Sequence, residues 1–299
     1  MPLVSTKSLV DSAAQRGSAV AAFNIITLEQ LEAVILGAEA ADRSVILQIS
    51  ENAVRFHGGH VLPLTRAALA AAEQSMVGAA LHLDHVTDPA LLHQAADAGF
   101  SSVMFDAGAA PHGENIARTA AAVQWGHAAG LYVEAELGYV GGKPDAPQSA
   151  HADGTRTDPR EAADYVRRTG VDALAVAVGT SHAMTTRSAR LDQILIAELT
   201  AAVAVPLVLH GSSGVDDRQL RSAVEAGMRK VNIGTALNIA YTSAITRHLV
   251  AHPNTVDPRK YLLEARAAVS EVVTAMIHVI DPNPVAAGDR PAESRSRLY

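Results

Sequence analysis

Short apolar runs alternate along this chain with longer stretches in which apolar residues recur at helical spacing. The runs predict eight strands, namely Ala19–Phe23, Val45–Ile49, Ala79–Leu83, Ser102–Phe105, Leu131–Ala135, Ala173–Val178, Pro206–Leu209 and Lys230–Ile233. The stretches between them predict helices over Leu28–Ala41, Pro89–Ala98, Glu114–Ala129, Pro159–Thr169, Leu191–Ala201 and Asp217–Ala226. Because the strands are apolar on both faces, they suit a parallel sheet that helices cover. Eight strand–helix units in about 250 residues predict an α/β fold of the TIM (β/α)8 barrel type.

An open, doubly wound sheet is the alternative, and it is disfavoured because no G-x-G-x-x-G turn follows the first strand. We expect one barrel domain over residues 1–280, in which Asp257–Ile280 adds one or two helices after the barrel. Residues 281–299 are rich in Pro, Ser, Arg and Ala and are predicted to be a flexible tail. The Gly- and Pro-rich segment Gly138–Thr157 is predicted to be a mobile lid over the barrel mouth.

Composition narrows the class of protein. Lys and Arg number 24 and Asp and Glu number 31, and the resulting net charge of −7 argues against a nucleic acid partner. No apolar run approaches the roughly 18 residues of a membrane span, and the first residues lack the pattern of a signal peptide. We therefore expect a cytoplasmic protein with no membrane partner. The absence of Cys excludes disulfides, thiolate metal sites and a Cys nucleophile.

Polar residues gather at the carboxyl ends of the predicted strands, which meet at one mouth in a TIM barrel. They are Asn24, Ser50, Glu51, Asp84, His85, Asp106, Glu134, Glu136, His182, His210 and Asn232. A single His at such a place is more often structural. Three at one rim, His85, His182 and His210, favour a catalytic Zn²⁺ with an open coordination position. His82, inside the third strand, is expected to be packed or to support the site.

Small residues follow the last two predicted strands. The loops read His210-Gly211-Ser212-Ser213-Gly214 and Asn232-Ile233-Gly234-Thr235. Such loops let backbone N–H groups approach an anion, and the next helix adds a favourable dipole. Since the seventh and eighth loops form the usual phosphate site of this barrel, the sequence predicts phosphate binding there.

These residues resemble a known family over about residues 3–280. The motifs are Ala22-Phe23-Asn24, Leu81-His82-Leu83-Asp84-His85, Val133-Glu134-Ala135-Glu136-Leu137-Gly138, Val178-Gly179-Thr180-Ser181-His182, Val208 to Gly214, Lys230 to Thr235, and Asp257-Pro258-Arg259-Lys260-Tyr261. Together they resemble the class II, metal-dependent ketose-bisphosphate aldolases, the group that includes the fructose-1,6-bisphosphate and tagatose-1,6-bisphosphate aldolases.

The resemblance implies a role for each matching residue. His85, His182 and His210 would bind one catalytic Zn²⁺ per subunit, with Asp106 and Glu136 as alternative metal positions, and Asp84 would be the acid/base. The expected substrate and phosphate contacts are Asn24, Ser50, Gly179, Ala183, Gly211, Ser212, Ser213, Asn232, Ile233, Gly234, Thr235 and Arg259. Arg259 would reach a second phosphate across a subunit interface. A monovalent cation, Na⁺ or K⁺, and a homodimer or homotetramer are further implications.

The sequence departs from the family pattern in three places. Ala183 replaces the Gly that usually follows the second His ligand, and an Ala is unfavourable if the backbone there needs a positive φ. The predicted lid carries Lys143-Pro144-Asp145 where an acidic pair is usual, which leaves Asp145 as the nearby proton carrier. Asp106-Ala107-Gly108-Ala109 lacks the hydroxyl of the usual Asp-Gly-Ser, and these changes are compatible with an altered substrate.

Several reactions remain open at this stage. The first expectation is cleavage of fructose 1,6-bisphosphate to dihydroxyacetone phosphate and glyceraldehyde 3-phosphate. The alternatives are tagatose 1,6-bisphosphate, a ketose monophosphate such as a deoxyketogluconate phosphate, and an inactive barrel that only binds a sugar phosphate. A metal-dependent amidohydrolase would need a His-x-His pair after the first strand, where Phe23-Asn24-Ile25 offers none. A Schiff-base route needs a Lys in the mouth; Lys230 is expected at the wrong end of its strand, as an exposed charge or in a salt bridge.

Overall fold

The computed structural model describes residues 3–138 and 156–282. Its eight strands are β1 (Val20–Asn24), β2 (Val45–Ser50), β3 (Ala79–Val86), β4 (Ser102–Phe105), β5 (Tyr132–Leu137), β6 (Ala173–Val176), β7 (Leu207–Leu209) and β8 (Met228–Ile233). Each strand pairs in parallel with the next, and β8 pairs with β1, so the sheet closes into a barrel. The predicted TIM barrel is confirmed.

Helices surround the barrel and cover its lower end. They are α1 (Thr6–Gln15), α2 (Leu28–Ala41), α3 (Glu51–Phe56), α4 (Leu62–Gln74), α5 (Pro89–Leu92), α6 (Ala95–Ala98), α7 (His112–Ala128), α8 (Pro159–Thr169), α9 (Gln193–Ala202), α10 (Asp217–Ala226), α11 (Thr235–Ala251) and α12 (Pro258–Ile280), with a short 3-10 turn at Ser212–Gly214. The predicted helix over Pro89–Ala98 is divided into α5 and α6. No helix within the described ranges has the length and apolar character that a membrane crossing requires.

Local sequence explains where several helices begin. Thr27, Asp158 and Asp216 each accept a backbone N–H from the first turn of the helix that follows, which satisfies donors that have no partner inside the helix. Asp257 does the same for α12, which forms a single helix and packs against α2 and α11. These caps fix the point at which each chain segment leaves the mouth and turns back along the barrel.

Alternation along the strands divides the barrel interior into layers. The floor is apolar and consists of Val20, Ala22, Ile46 and Ala80, packed against Val10 and Ala13 of α1. Above it, the interior positions of β5 and β8 carry charged side chains, and the top of the barrel carries the polar residues of the mouth. The intervening strand residues, such as Val133 and Ala135, pack outwards into the main core beneath the helices.

The boundaries of the domain differ from the expectation in one detail. Asp281, the first residue of the predicted tail, is buried and pairs with Arg16 at 3.0 Å and with Arg43 at 3.3 Å. This residue therefore belongs to the barrel, because two cations and the end of α12 hold it. Residues 283–299, most of the predicted tail, and residues 139–155, most of the predicted lid with Asp145, lie outside the described residues.

Candidate metal and substrate site

A cavity of about 480 Å³ opens at the carboxyl ends of the strands. Its volume lies in the range of about 300–1,000 Å³ that is common for small-molecule sites. Of the sequence-predicted residues, it is lined by Asn24, Ser50, Asp84, His85, Asp106, His182, Ala183, Gly211, Ser212, Ser213, Asn232, Gly234 and Thr235. The barrel thus brings together side chains that lie as far apart in sequence as Asn24 and Thr235.

Three imidazoles meet at this cavity: His85 and His182 line it, and His210 is fully buried beside them. The ring centroids of His85 lie 5.0 Å from those of both His182 and His210, and the remaining pair is 5.7 Å apart. Glu136 joins them, and one ligand atom from each of the four residues lies within 4.8 Å of every other. The predicted meeting of three His at one rim is therefore present, and Glu136 is the carboxylate that stands with them.

His85 reaches this cluster from inside a strand. The sequence places it after the strand end, but β3 continues to Val86, with an irregular register against β4. Its Nδ1 lies 3.0 Å from Oδ2 of Asp106, which leaves Nε2 for the cavity. Burial lowers the pKa of His85, but the charge of Asp84 and the hydrogen bond to Asp106 outweigh it and raise the pKa overall.

His210 is fully buried between two carboxylates. Its Nε2 lies 3.0 Å from Oε1 of Glu134, and its Nδ1 faces Oε2 of Glu136 at 3.0 Å. Burial opposes a charge here, yet these two carboxylates raise the pKa of His210 to about 9. The surroundings of Nδ1 therefore favour positive charge.

His182 completes the cluster at the end of the loop after β6. Its Nε2 is buried, lies 3.9 Å from Oε2 of Glu136, and has no hydrogen-bond partner among the described residues. Burial lowers the pKa of His182; the carboxylate of Glu136 opposes this shift, but the nearby charges of His85 and His210 add to it, and the pKa is lowered overall. The neutral imidazole that a metal requires is favoured at this position.

This donor set fits a divalent metal ion. Zinc is commonly held by imidazole nitrogen and carboxylate oxygen, and three imidazoles leave a position for substrate. Two of the imidazoles are fixed by carboxylates on the ring nitrogen that faces away from the cavity, as is usual for metal-binding His. The buried and unpartnered Nε2 of His182 is the observation that a bound cation would explain.

Asp84 lies beside the imidazoles and is almost fully buried. Its Oδ2 accepts a hydrogen bond of 2.9 Å from Nδ2 of Asn24, whose Oδ1 in turn accepts one of 3.2 Å from Gln48. Burial opposes ionisation, but the charges of the surrounding imidazoles, His85 first, lower the pKa of Asp84. Its Oδ1 has no hydrogen-bond partner among the described residues. Asp84 is thus an ionised carboxylate whose buried Oδ1 faces Nε2 of His82 at 4.0 Å.

The loops after β7 and β8 form one wall of the cavity. Ser212 donates a hydrogen bond of 2.6 Å to the carbonyl of Asn232, so the two loops are tied together. Ser213 accepts one of 3.0 Å from the backbone N–H of Ala236, in the first turn of the 17-residue helix α11. The helix therefore directs its positive end towards these loops, as anion binding requires.

Gly211 needs the absence of a side chain. Its φ is +68°, and a Cβ there would come within 2.6 Å of the carbonyl oxygen of Ser181. The close approach joins the seventh loop to the loop that carries His182. Two residues with side chains also adopt positive φ at the site, His85 at +49° and Ala183 at +58°. Ala183 therefore has the positive φ that is unfavourable for an Ala, and such strain is typical of functional sites.

Five sequence-predicted residues do not line the cavity of their own subunit: the buried His210 and Glu136 of the metal cluster, and Gly179, Ile233 and Arg259. Ile233 is fully buried in the main core, because it points outwards when its neighbour Asn232 points inwards. Gly179, with φ +113°, lies before the loop that carries His182. Arg259 is highly exposed and pairs with Asp257 at 2.7 Å. Any role of Arg259 thus belongs to another subunit or to a rearranged side chain.

A cation that the sequence did not predict, Arg55, lies on the rim of the cavity. Arg55, in α3, lines the cavity on the side of β2, and within the described residues no other Lys or Arg does so. It pairs with the buried carboxylate of Glu51, which also accepts hydrogen bonds from the backbone and hydroxyl of Thr87 at 2.6 and 2.9 Å. Glu51 thereby ties the second loop to the third and orients Arg55. Arg55 lies in the second turn of the helix that follows β2, and this closeness to the strand end is the sequence feature that could have predicted it.

Lys230 differs from the expectation in the burial of its side chain. The salt bridge is present, but the side chain is fully buried rather than exposed. It lies in the interior one layer below Asn232 and does not line the cavity. His82 is also fully buried, bonded to Ser102 at 2.7 Å; burial first, and then the charge of Lys230, lowers its pKa to about 3.

The family model of the class II fructose-bisphosphate aldolases matches residues 4–283. This chain belongs to that family. A relative from Bacillus subtilis (strain 168), named a probable fructose-bisphosphate aldolase, is 38% identical over 276 residues, which are 91% of this chain and 95% of the relative. The YdjI aldolase of Escherichia coli K12 is a similar solved structure, with a TM-score of 0.81 at 32% identity, covering 93% of this chain and 97% of that one.

A further solved structure, the fructose-bisphosphate aldolase of Campylobacter jejuni, has a TM-score of 0.78 at 21% identity, with 93% of this chain and 95% of that chain covered, and it shares the fold. The predicted family is therefore confirmed, and the protein is an aldolase, a carbon–carbon lyase. Its family implies a small phosphorylated sugar as substrate and is generally metal-dependent, in agreement with the His and Glu cluster.

Proposed function

We propose that this aldolase uses one Zn²⁺ per subunit to cleave fructose 1,6-bisphosphate reversibly into dihydroxyacetone phosphate and glyceraldehyde 3-phosphate. One observation carries the proposal. Three imidazoles and Glu136, the ionised Asp84, and two loops suited to an anion all line or border a single cavity. A metal, a base and a phosphate site at this spacing are what cleavage next to a carbonyl requires.

His85, His182 and His210 would hold the zinc, with Asp106 and Glu136 as alternative positions. When bound, zinc would polarise the substrate carbonyl and stabilise the negative charge that develops on its oxygen. Asp84 accepts the proton of the C4 hydroxyl, and Asn24 holds its carboxylate in place. Departure of that proton lets the C4 hydroxyl become the aldehyde while the C3–C4 bond breaks and its electron pair moves towards the C2 carbonyl; a proton taken up at C3 then completes dihydroxyacetone phosphate.

The phosphate next to the carbonyl would be held by Gly211, Ser213, Asn232 and Thr235, with Ser212 and Gly234 shaping the loops. Clamping one end of the substrate orients its reacting bond and removes much of the entropic cost. Asn24, Ser50 and Ala183 are the remaining proposed contacts of the chain with substrate, whereas Gly179 and Ile233, which do not line the cavity, are proposed to shape the loops around it. A monovalent cation, Na⁺ or K⁺, would accompany the phosphate.

A substrate with two phosphates is favoured by the charge on the far rim. Arg55 lines the side of the cavity formed by the second loop, whereas the proposed anion loops follow β7 and β8. Arg259 of a second subunit in a homodimer or homotetramer is the other proposed partner of that phosphate. We further propose that the protein acts in the cytoplasm.

A coupled assay tests the proposal. Purified protein with zinc is given fructose 1,6-bisphosphate, tagatose 1,6-bisphosphate and a deoxyketogluconate phosphate in parallel, and the release of the triose is followed. We expect the first to have the highest kcat/KM, and activity to vanish with a chelator and to return with zinc. Borohydride with substrate should leave the protein unmodified. A protein that cleaves none of the three, or that borohydride traps, contradicts the proposal.

A further inference from the structure

Below the mouth lies a buried ion pair that the proposed reaction does not use. Nζ of Lys230 lies 2.8 Å from Oε2 of Glu134, and both side chains are fully buried. Lys230 is on β8 and Glu134 on β5, and these strands are not neighbours in the barrel. The pair therefore crosses the barrel interior between the apolar floor and the mouth.

Stability alone does not account for this pair. Removing two charges from water costs several kcal/mol per ion, and apolar side chains of similar volume are often equally stable in such places. The other hydrogen bonds of the pair both lead upwards into the site. Oε1 of Glu134 lies 3.0 Å from Nε2 of His210, and Nζ of Lys230 lies 2.8 Å from Oδ1 of Asn232.

The chemistry of these groups fixes two orientations. An ionised carboxylate only accepts hydrogen bonds, so Nε2 of His210 must donate its N–H to Glu134, and Nδ1 is directed at the cluster with Glu136. An ammonium group only donates, so the atom of Asn232 that faces Lys230 is its oxygen. The NH₂ group of Asn232 is consequently the part left for the cavity.

We propose that Lys230 and Glu134 are positioning residues of this aldolase, with Glu134 holding His210 as an Nδ1 metal ligand and Lys230 holding Asn232 as a hydrogen-bond donor to the substrate. Lys230 also keeps Glu134 in place, and so it connects the metal half of the site with the phosphate half. The inference rests on the proposed function for the identity of the metal and the substrate.

The first test measures zinc affinity of the metal-free protein by competition with a chelating indicator. Glu134→Gln cannot accept from His210 and Lys230 at once, so either a donor faces a donor or the proton of His210 moves to Nδ1. We expect zinc affinity to fall about 10- to 100-fold. Asp281→Asn is the matched control, because it breaks a buried ion pair at the opposite end of the barrel. It should unfold more easily while its zinc affinity stays within twofold.

The second test separates the effect on the metal site from the effect on the phosphate site. With zinc at saturation, calorimetry measures the binding of dihydroxyacetone phosphate. Lys230→Met should weaken this binding roughly 3- to 10-fold, the equivalent of one lost hydrogen bond, and should also weaken zinc binding. Glu134→Gln, which leaves Lys230 beside Asn232, should weaken zinc binding more than binding of the triose phosphate.

A double variant keeps the inference testable if the single variants fold poorly. Glu134→Met with Lys230→Met removes both charges and fills the same space, so the barrel should regain stability. Zinc affinity should nevertheless stay reduced about 10-fold or more. Recovery of wild-type zinc affinity in the double variant, or unchanged affinity in Glu134→Gln, would overturn the inference. A wild-type protein that binds zinc but no triose phosphate would instead count against the proposed function.

Discussion

Replacing Ala183 by Gly should stabilise this aldolase, although such a change usually does the opposite. Ala183 has a φ of +58°, a conformation that costs a residue with a Cβ about 1–2 kcal/mol. Gly removes that cost but increases the entropy of the unfolded chain, which lowers stability by about 0.4–1 kcal/mol. The side chain is exposed, so no packing is lost. The net effect is an increase of about 0.8 kcal/mol in the free energy of unfolding.

Urea unfolding of the zinc-free protein measures this gain, which should appear as a higher midpoint with an unchanged slope. A thermal melt should show a rise of about 2 °C. Ala117→Gly is the matched control, because Ala117 is equally exposed but lies within α7. There Gly should destabilise the protein by about 1 kcal/mol. If the two variants lose stability alike, Ala183 bears no backbone strain and the reasoning is refuted.

Three further substitutions address the chemistry, the specificity and the loop geometry. Asp84→Asn should lower kcat about 10²- to 10⁴-fold while zinc binding, measured by chelator competition, is retained; a kcat within tenfold would exclude Asp84 as the base. Arg55→Met should raise KM about 10-fold for fructose 1,6-bisphosphate but leave it unchanged for fructose 1-phosphate, and an equal effect on both substrates would deny Arg55 the far phosphate. Gly211→Ala should destabilise the protein by about 2–4 kcal/mol, because its Cβ meets Ser181 and its φ is positive, and an unchanged melting temperature would contradict that contact.

Much of the site follows from the order of elements alone. Parallel strands in a barrel deliver their carboxyl ends to one rim, so the sequence predicts that His85, His182 and His210 meet there. This prediction does not depend on knowing the exact ends of the strands. The strand that carries His85 extends to Val86, beyond the predicted end, and the residue still reaches the cluster because a positive φ turns it.

The features that sequence misses depend on partners that are distant in the chain. A Lys within a strand is usually exposed, and the burial of Lys230 depends on Glu134, 96 residues away, on the opposite side of the barrel. Arg55 sits in a six-residue helix that begins directly at the end of β2, where no loop marks a boundary. The helix α1 has few apolar residues; Ser5 caps its first turn, and Val10 and Ala13 pack on the barrel floor.

The apolar floor has a practical consequence for engineering. Its residues, among them Ala22, Ile46 and Ala80, pack against Val10 and Ala13 of α1 at the end of the barrel away from the mouth. Larger or differently branched aliphatic residues can therefore be tried at these positions to raise heat resistance, while the residues of the mouth are left unchanged. Directed evolution of substrate range, conversely, can be confined to the upper loops, so that the two libraries combine freely.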